Sequence, residues 1–136
     1  MDDRVRKFIR EVARTMVGLD VALFYQANPS TFDTCSGIAL RTHRVMDEIR
    51  PALERLAEHR LLEVHVRADG KYTCYALARE PWVWNLLCLV SDAYHDDPEA
   101  RKEILMMLVR QQQEDRQRGK PDGGAPSTAG SDNSDS

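Results

Sequence analysis

Eight side chains have the types and spacing to touch a phosphate-rich polymer: Arg41, Thr42, His43, Arg44, Met46 and Arg50, then Arg67 and Lys71. Guanidinium and ammonium groups anchor phosphate oxygens, while Thr, His and Arg side chains also reach base edges. Between Arg41 and Lys71 the chain holds seven basic side chains against six acidic ones, a net of +1. A footprint on DNA therefore depends on where the cations sit, because the segment is nearly neutral on average. Arg41, His43, Arg44 and Arg50 cluster around one polar turn, and Arg67 and Lys71 flank Ala68-Asp69-Gly70. Asp47 and Glu48 stand in the same neighbourhood, where carboxylates suit a helix start but repel phosphate.

Other chemistry finds no support. Cys35, Cys74 and Cys88 are odd in number and widely spaced, which fits reduced thiols acting as small apolar residues in a cytoplasm. With His43, His59, His65 and His95 they form no pair at metal-ligand spacing, so no metal and no cofactor is expected. There is no Gly-rich phosphate loop, no nucleophile elbow and no carboxylate pair in an apolar setting. The chain reads as a binding protein rather than an enzyme.

The elements that must position these residues follow from hydrophobic periodicity. Val5, Phe8, Ile9, Val12, Ala13 and Met16 predict a helix over Asp3–Val17, capped by Asp2 and Asp3 and closed by Gly18. Asp20 is expected to cap a second helix, Val21–Ala27, which Asn28-Pro29 ends. Ser30–Asp33 reads as a loop. Asp33 or Thr34 then caps a short helix from Cys35 to Leu40, in which Gly37 either allows close packing or marks a boundary. After the turn Arg41–Arg44, Ile49, Ala52, Leu53, Leu56 and Ala57 predict a helix from Met46 or Asp47 to about His59, with Pro51 in its first turn.

A hairpin comes next. Val64 and Val66 alternate with His65 and Arg67, and Tyr72, Cys74 and Ala76 alternate with Thr73, Tyr75 and Leu77. Asp69-Gly70 supplies the positive-φ residues of the turn. Pro81 opens a helix through Tyr94 that is apolar nearly all round, and Pro98 opens a last one whose apolar set runs to Val109. Trp82 and Trp84 point to different sides of their helix, core being the expected place for each, with a dimer interface or ligand cleft as the alternative.

The order helix, turn, helix, hairpin from Ile38 to Arg79 is a winged helix-turn-helix arrangement, mainly α with a small β-hairpin. With two helices before it and two after, the chain resembles the MarR-like transcription regulators. That resemblance implies a dimeric DNA-binding regulator, with the 46–59 helix in the major groove, the 63–78 wing on the backbone or minor groove, and terminal helices that dimerise. The turn Thr42-His43-Arg44-Val45 departs from the usual small-then-apolar pair. The alternative is a winged-helix module that docks a basic protein partner through the acidic start of the 46–59 helix. The DNA reading requires that the outer side of this helix be neither covered nor lined chiefly by carboxylates. A ligand-gated version would place an effector between Trp82 or Trp84 and the first helix.

Composition bounds the rest. The chain has 136 residues and a net charge of −3, which cautions against a strongly basic nucleic-acid binder. Residues 1–113 read as one winged-helix domain. Residues 114–136 are Gly, Ser, Asp, Pro and Gln without apolar period and read as a disordered polar tail. No apolar segment is long enough for a bilayer and no secretory leader is apparent, so a cytoplasmic protein is expected.

Overall fold

The computed structural model describes residues 1–118. Along the chain come α1 (Asp3–Lys7), a π-helical turn (Phe8–Ala13), α2 (Met16–Ala27), β1 (Phe32–Thr34), α3 (Cys35–Thr42) and α4 (Met46–Glu58). They are followed by β2 (Leu62–Arg67), β3 (Tyr72–Leu77), α5 (Pro81–Asp96) and α6 (Pro98–Arg118). The strands form one antiparallel sheet in the order β1-β3-β2.

The first helix begins as its sequence predicts, with the Asp2 carboxylate accepting the Arg4 N–H at 2.8 Å. It does not run to Val17. After Lys7 it widens into the π turn, where the Arg14 N–H donates to the Ile9 carbonyl at 3.0 Å, and it stops at Arg14 with φ 60°. The reason is the next residue: the Thr15 hydroxyl captures the Gly18 N–H at 3.0 Å and starts α2 at Met16, ahead of the expected cap Asp20. Gly18 is therefore not a helix terminator. It lies inside α2, pressed so closely on the preceding turn that a Cβ would sit 2.0 Å from the Ala13 carbonyl oxygen.

Phe32 and Asp33, expected in the loop Ser30–Asp33, form a third strand with Thr34, in register Phe32 with Ala76 and Thr34 with Cys74. Three residues are too few to show a period of two in sequence; the open edge of β3 recruits them. Thr34 caps α3 by accepting the Gly37 N–H at 3.2 Å, and the helix continues through Thr42, so the turn is confined to His43–Val45. Pro51 falls six residues into α4, beyond its first turn. The Asp47 carbonyl it leaves without an N–H lies on the exposed side, open to solvent.

α6 extends nine residues past Val109. Glu114–Arg118, expected in the tail, are helical, and Asp115 pairs with Arg14 at 3.1 Å. Residues 119–136 of that tail lie outside the described residues.

α2 occupies the centre, packed on α4, α5 and the π turn, while α6 packs on α5 and the π turn. Phe8, Leu19, Tyr25, Ile38, Leu53 and Leu87 are fully buried between them. The Tyr25 hydroxyl donates to the Tyr75 carbonyl at 2.9 Å, tying α2 to β3, and burial pushes its phenol up, so it stays a protonated donor. Two side chains bond carbonyls of the π turn and of Arg14 after it. Arg55 of α4 donates to Val12 and Ala13 at 2.9 and 3.0 Å, and Gln111 of α6 donates to Ile9 and Arg14 at 3.3 and 2.9 Å. Among the described residues no helix is long and apolar enough to cross a membrane.

Candidate nucleic-acid interface

α3, the turn and α4 form a helix-turn-helix, and β2–β3 form the wing beside it. α4 buries Ile49, Ala52, Leu53 and Leu56 and leaves its opposite side open to solvent. At 100° per residue, that opposite side is centred on Asp47, Pro51, Glu54 and Glu58, with Arg50 at its margin. The exposed α4 residues thus carry one cation, Arg50, against four carboxylates, Asp47, Glu48, Glu54 and Glu58. The stripe is lined chiefly by carboxylates, so the condition set for laying α4 along a major groove is not met, and its start, Asp47, Glu48 and Pro51, borders a cleft shared with Leu105, Leu108 and Val109 of α6.

The eight sequence-chosen residues divide sharply by their partners. Arg44 is half-buried and pairs with Asp20 of α2, with Glu48 a further 3.9 Å contact. Arg50 pairs with Asp47 at 3.9 Å. Thr42 turns its hydroxyl back to the Ile38 carbonyl at 2.8 Å, closing α3. Arg44 and Thr42 serve the fold first, while Arg50 makes only an exposed surface pair. His43 is exposed and adopts the left-handed conformation, φ 59°, in which the Arg44 N–H returns to the Ala39 carbonyl at 2.9 Å. That is the turn usually given to glycine after a helix.

Arg41, Arg67 and Lys71 are exposed, and among the described residues none has a carboxylate within ion-pair distance. Arg41 lies over the Phe24 ring, 4.8 Å from its centroid, and Arg67 lies over Phe32 at 5.2 Å. Lys71 stands at the wing tip, where Ala68, Asp69 and Gly70 all have positive φ as the Asp-Gly pair predicts. Met46 is partly open to solvent, together with Leu40 and Val45 next to it.

Sequence reasoning missed four members of this surface. Phe24 and Phe32 stack on the arginines; Leu40 is 78% exposed; His65 sits 5.2 Å from the Phe32 ring and holds Glu63 at 3.1 Å. A Phe in an otherwise polar run, as at 32, was the available signal. The tryptophans correct another expectation: both are exposed, at 48 and 40%, rather than in the core. Trp82 lines a cleft of about 370 Å³ with Phe8 and Val12 of the first helical segment, and Trp84 is not part of it.

No protein-family model and no curated protein matches the chain. Among solved structures it is similar to MepR, titled a transcription regulator of the Staphylococcus aureus multidrug efflux pump MepA, at 16% identity and TM-score 0.49, covering 85% of this chain and 82% of that one. It is also similar to a probable transcriptional regulator from Pseudomonas aeruginosa, at 17% identity and TM-score 0.47, covering 86 and 84%. The fold is a winged helix-turn-helix. Both likenesses are too distant to transfer a residue, a ligand or a partner.

Proposed function

We propose that this protein is a dimeric DNA-binding transcription regulator that holds duplex DNA by its wing and its helix-helix turn. The observation that carries the reading is the set of exposed cations, Arg41, Arg67 and Lys71, unpaired among the described residues and placed on the turn and wing of a helix-turn-helix. Phosphates take these groups, and His43 and Met46 at the turn lie nearest the base edges. Arg44 and Thr42 shape that turn from behind.

The acidic stripe of α4 changes how the domain docks. Lowering Asp47, Glu48, Glu54 and Glu58 into a groove brings carboxylates toward phosphates, so the turn and the wing carry the contact and α4 stays back from the groove. A salt titration of duplex binding by fluorescence anisotropy tests this. Arg67→Ala with Lys71→Ala should flatten the slope of log K against log salt by about 2, since each phosphate contact contributes about 0.9. Glu54→Lys with Glu58→Lys should strengthen non-specific binding. Wild-type protein that fails to bind duplex DNA at low salt ends the reading.

The dimer is inferred from α6, which leaves Leu105, Met106 and Val109 exposed on one face. A closed two-fold dimer would hold two turns about 34 Å apart, the spacing of successive major grooves.

One observation favours a second reading. The same stripe, with exposed Leu40 and Val45 at its edge, suits a basic, partly apolar protein partner. Co-purification of a protein that Glu54→Lys with Glu58→Lys releases, together with no duplex binding at any salt, would select it.

A further inference from the structure

The arginines near the helix-helix turn and the wing make three kinds of close attachment. Arg44 bonds a carboxylate, Arg55 bonds backbone carbonyls, and Arg41 and Arg67 face aromatic rings, while Arg50 stands 3.9 Å from Asp47, beyond hydrogen-bond reach. The difference matters for binding an anion. A carboxylate neutralises the guanidinium and occupies its N–H donors. A carbonyl occupies the donors without neutralising. A ring does neither: it attracts the cation through its face and leaves the edge donors, five N–H groups in a fixed plane, free.

Both rings come from outside the elements that carry the arginines. Phe24 projects from α2 to Arg41 at the end of α3, and Phe32 projects from β1 across the sheet to Arg67 at the end of β2. Register places Phe32 opposite Ala76 and Arg67 opposite Tyr72, so the Arg67 side chain must lie back along the outer face of the sheet to reach the ring. Phe32 is itself 46% exposed and buttressed by His65 at 5.2 Å. Phe24 is half-buried against the core and Tyr25, whereas Phe32, an apolar ring left at the surface with a guanidinium laid on it, is a poor device for stability and a good one for holding a long, entropy-rich side chain in place.

We propose that Phe24 and Phe32 are positioning residues, each holding one arginine flat and fully charged so that its outward edge is ready for a DNA phosphate. This deepens the DNA-binding reading and rests on it. Holding the guanidinium before contact removes part of the ordering cost otherwise met on binding.

The test uses the full chain with Phe24→Leu, Phe32→Leu, Phe32→Tyr, Arg41→Ala and Arg67→Ala, each checked for unchanged melting and active fraction by stoichiometric titration. Duplex affinity is then measured across a salt series. Phe24→Leu and Phe32→Leu should each weaken binding about 2- to 5-fold, the range of an exposed cation–ring contact, while the salt slope stays that of wild type. Arg41→Ala and Arg67→Ala should flatten the slope by about 0.9 each. Phe32→Tyr should restore wild-type affinity, which a loss of folded protein would not allow. If wild type binds duplex DNA and the Leu variants bind equally well, the positioning role is overturned and the DNA reading stands. If wild type does not bind, both fall together.

Discussion

Arg55 and Gln111 each spend a polar side chain on backbone. Arg55 would count as a recognition-helix cation in any tally of charge, yet its guanidinium points inward to Val12 and Ala13, and burial lowers its pKa without discharging it. Truncating it removes the donors it lends to the Val12 and Ala13 carbonyls at the π turn. Arg55→Ala should lower unfolding stability by roughly 2 kcal/mol in urea, and Arg55→Lys should recover part of it, because an ammonium cannot span both acceptors in a plane. Gln111→Leu, nearly isosteric, should lose a similar amount for the same reason. A chevron-free equilibrium melt suffices; unchanged midpoints would show that water replaces both side chains. The eight candidate residues were legible in the sequence as types, and the structure divides them, turning Thr42 and Arg44 to the chain's own groups and leaving Arg41, Arg67 and Lys71 exposed. Their partners were not legible. Asp20, Phe24 and Phe32 lie in other elements, and pairing at that distance is set by packing, which no local period encodes.

At the scale of elements, α4, the hairpin, α5 and the start of α6 follow directly from apolar spacing and from Pro81, Pro98 and Asp69-Gly70. The first helix does not, because two capping choices compete within six residues: Thr15 wins over Asp20, and the backbone before it must widen and turn at Arg14. Gly18 makes that joint possible. Gly18→Ala should destabilise by roughly 3 kcal/mol, since its Cβ meets backbone that cannot swing aside. Gly37→Ala should cost far less: its Cβ meets the Asp33 carboxylate, the end of a movable side chain. Equal losses at the two sites would contradict this. The clasp between α1 and α6 has a pH signature. The Arg6 guanidinium, 2.7 Å from Glu103, holds that carboxyl below its ordinary value of 4.5. A depressed carboxylate stabilises the fold above the unfolded pKa, and the contribution is lost as pH falls through the folded one. Wild type and Glu103→Gln should therefore differ in melting temperature at pH 7 and converge in acid. A gap that persists below pH 2 would assign the effect to packing.

For the molecule as a whole, the exposed apolar face of α6 sets the expected assembly. Leu105, Met106 and Val109 at helical spacing leave a stripe facing solvent on a helix that otherwise buries Ile104 and Leu108. Sedimentation should show a dimer at micromolar concentration, and Met106→Glu with Val109→Glu should return a folded monomer. A monomeric wild type would remove the two-fold geometry proposed for DNA. The arrangement of helices around a small wing was visible from element order. How much of α5 and α6 faces outward was not, because an all-round apolar pattern is the same whether the chain's own core or another molecule covers it.

The left-handed backbone at His43 has a separate consequence. Glycine adopts that conformation freely, whereas a side chain there costs about 1 kcal/mol. His43→Gly should therefore make the protein melt higher while stripping an imidazole from the surface proposed to meet DNA. Heat tolerance and grip on the duplex would pull the same codon in opposite directions, and a selection for either one should reveal the other by its loss.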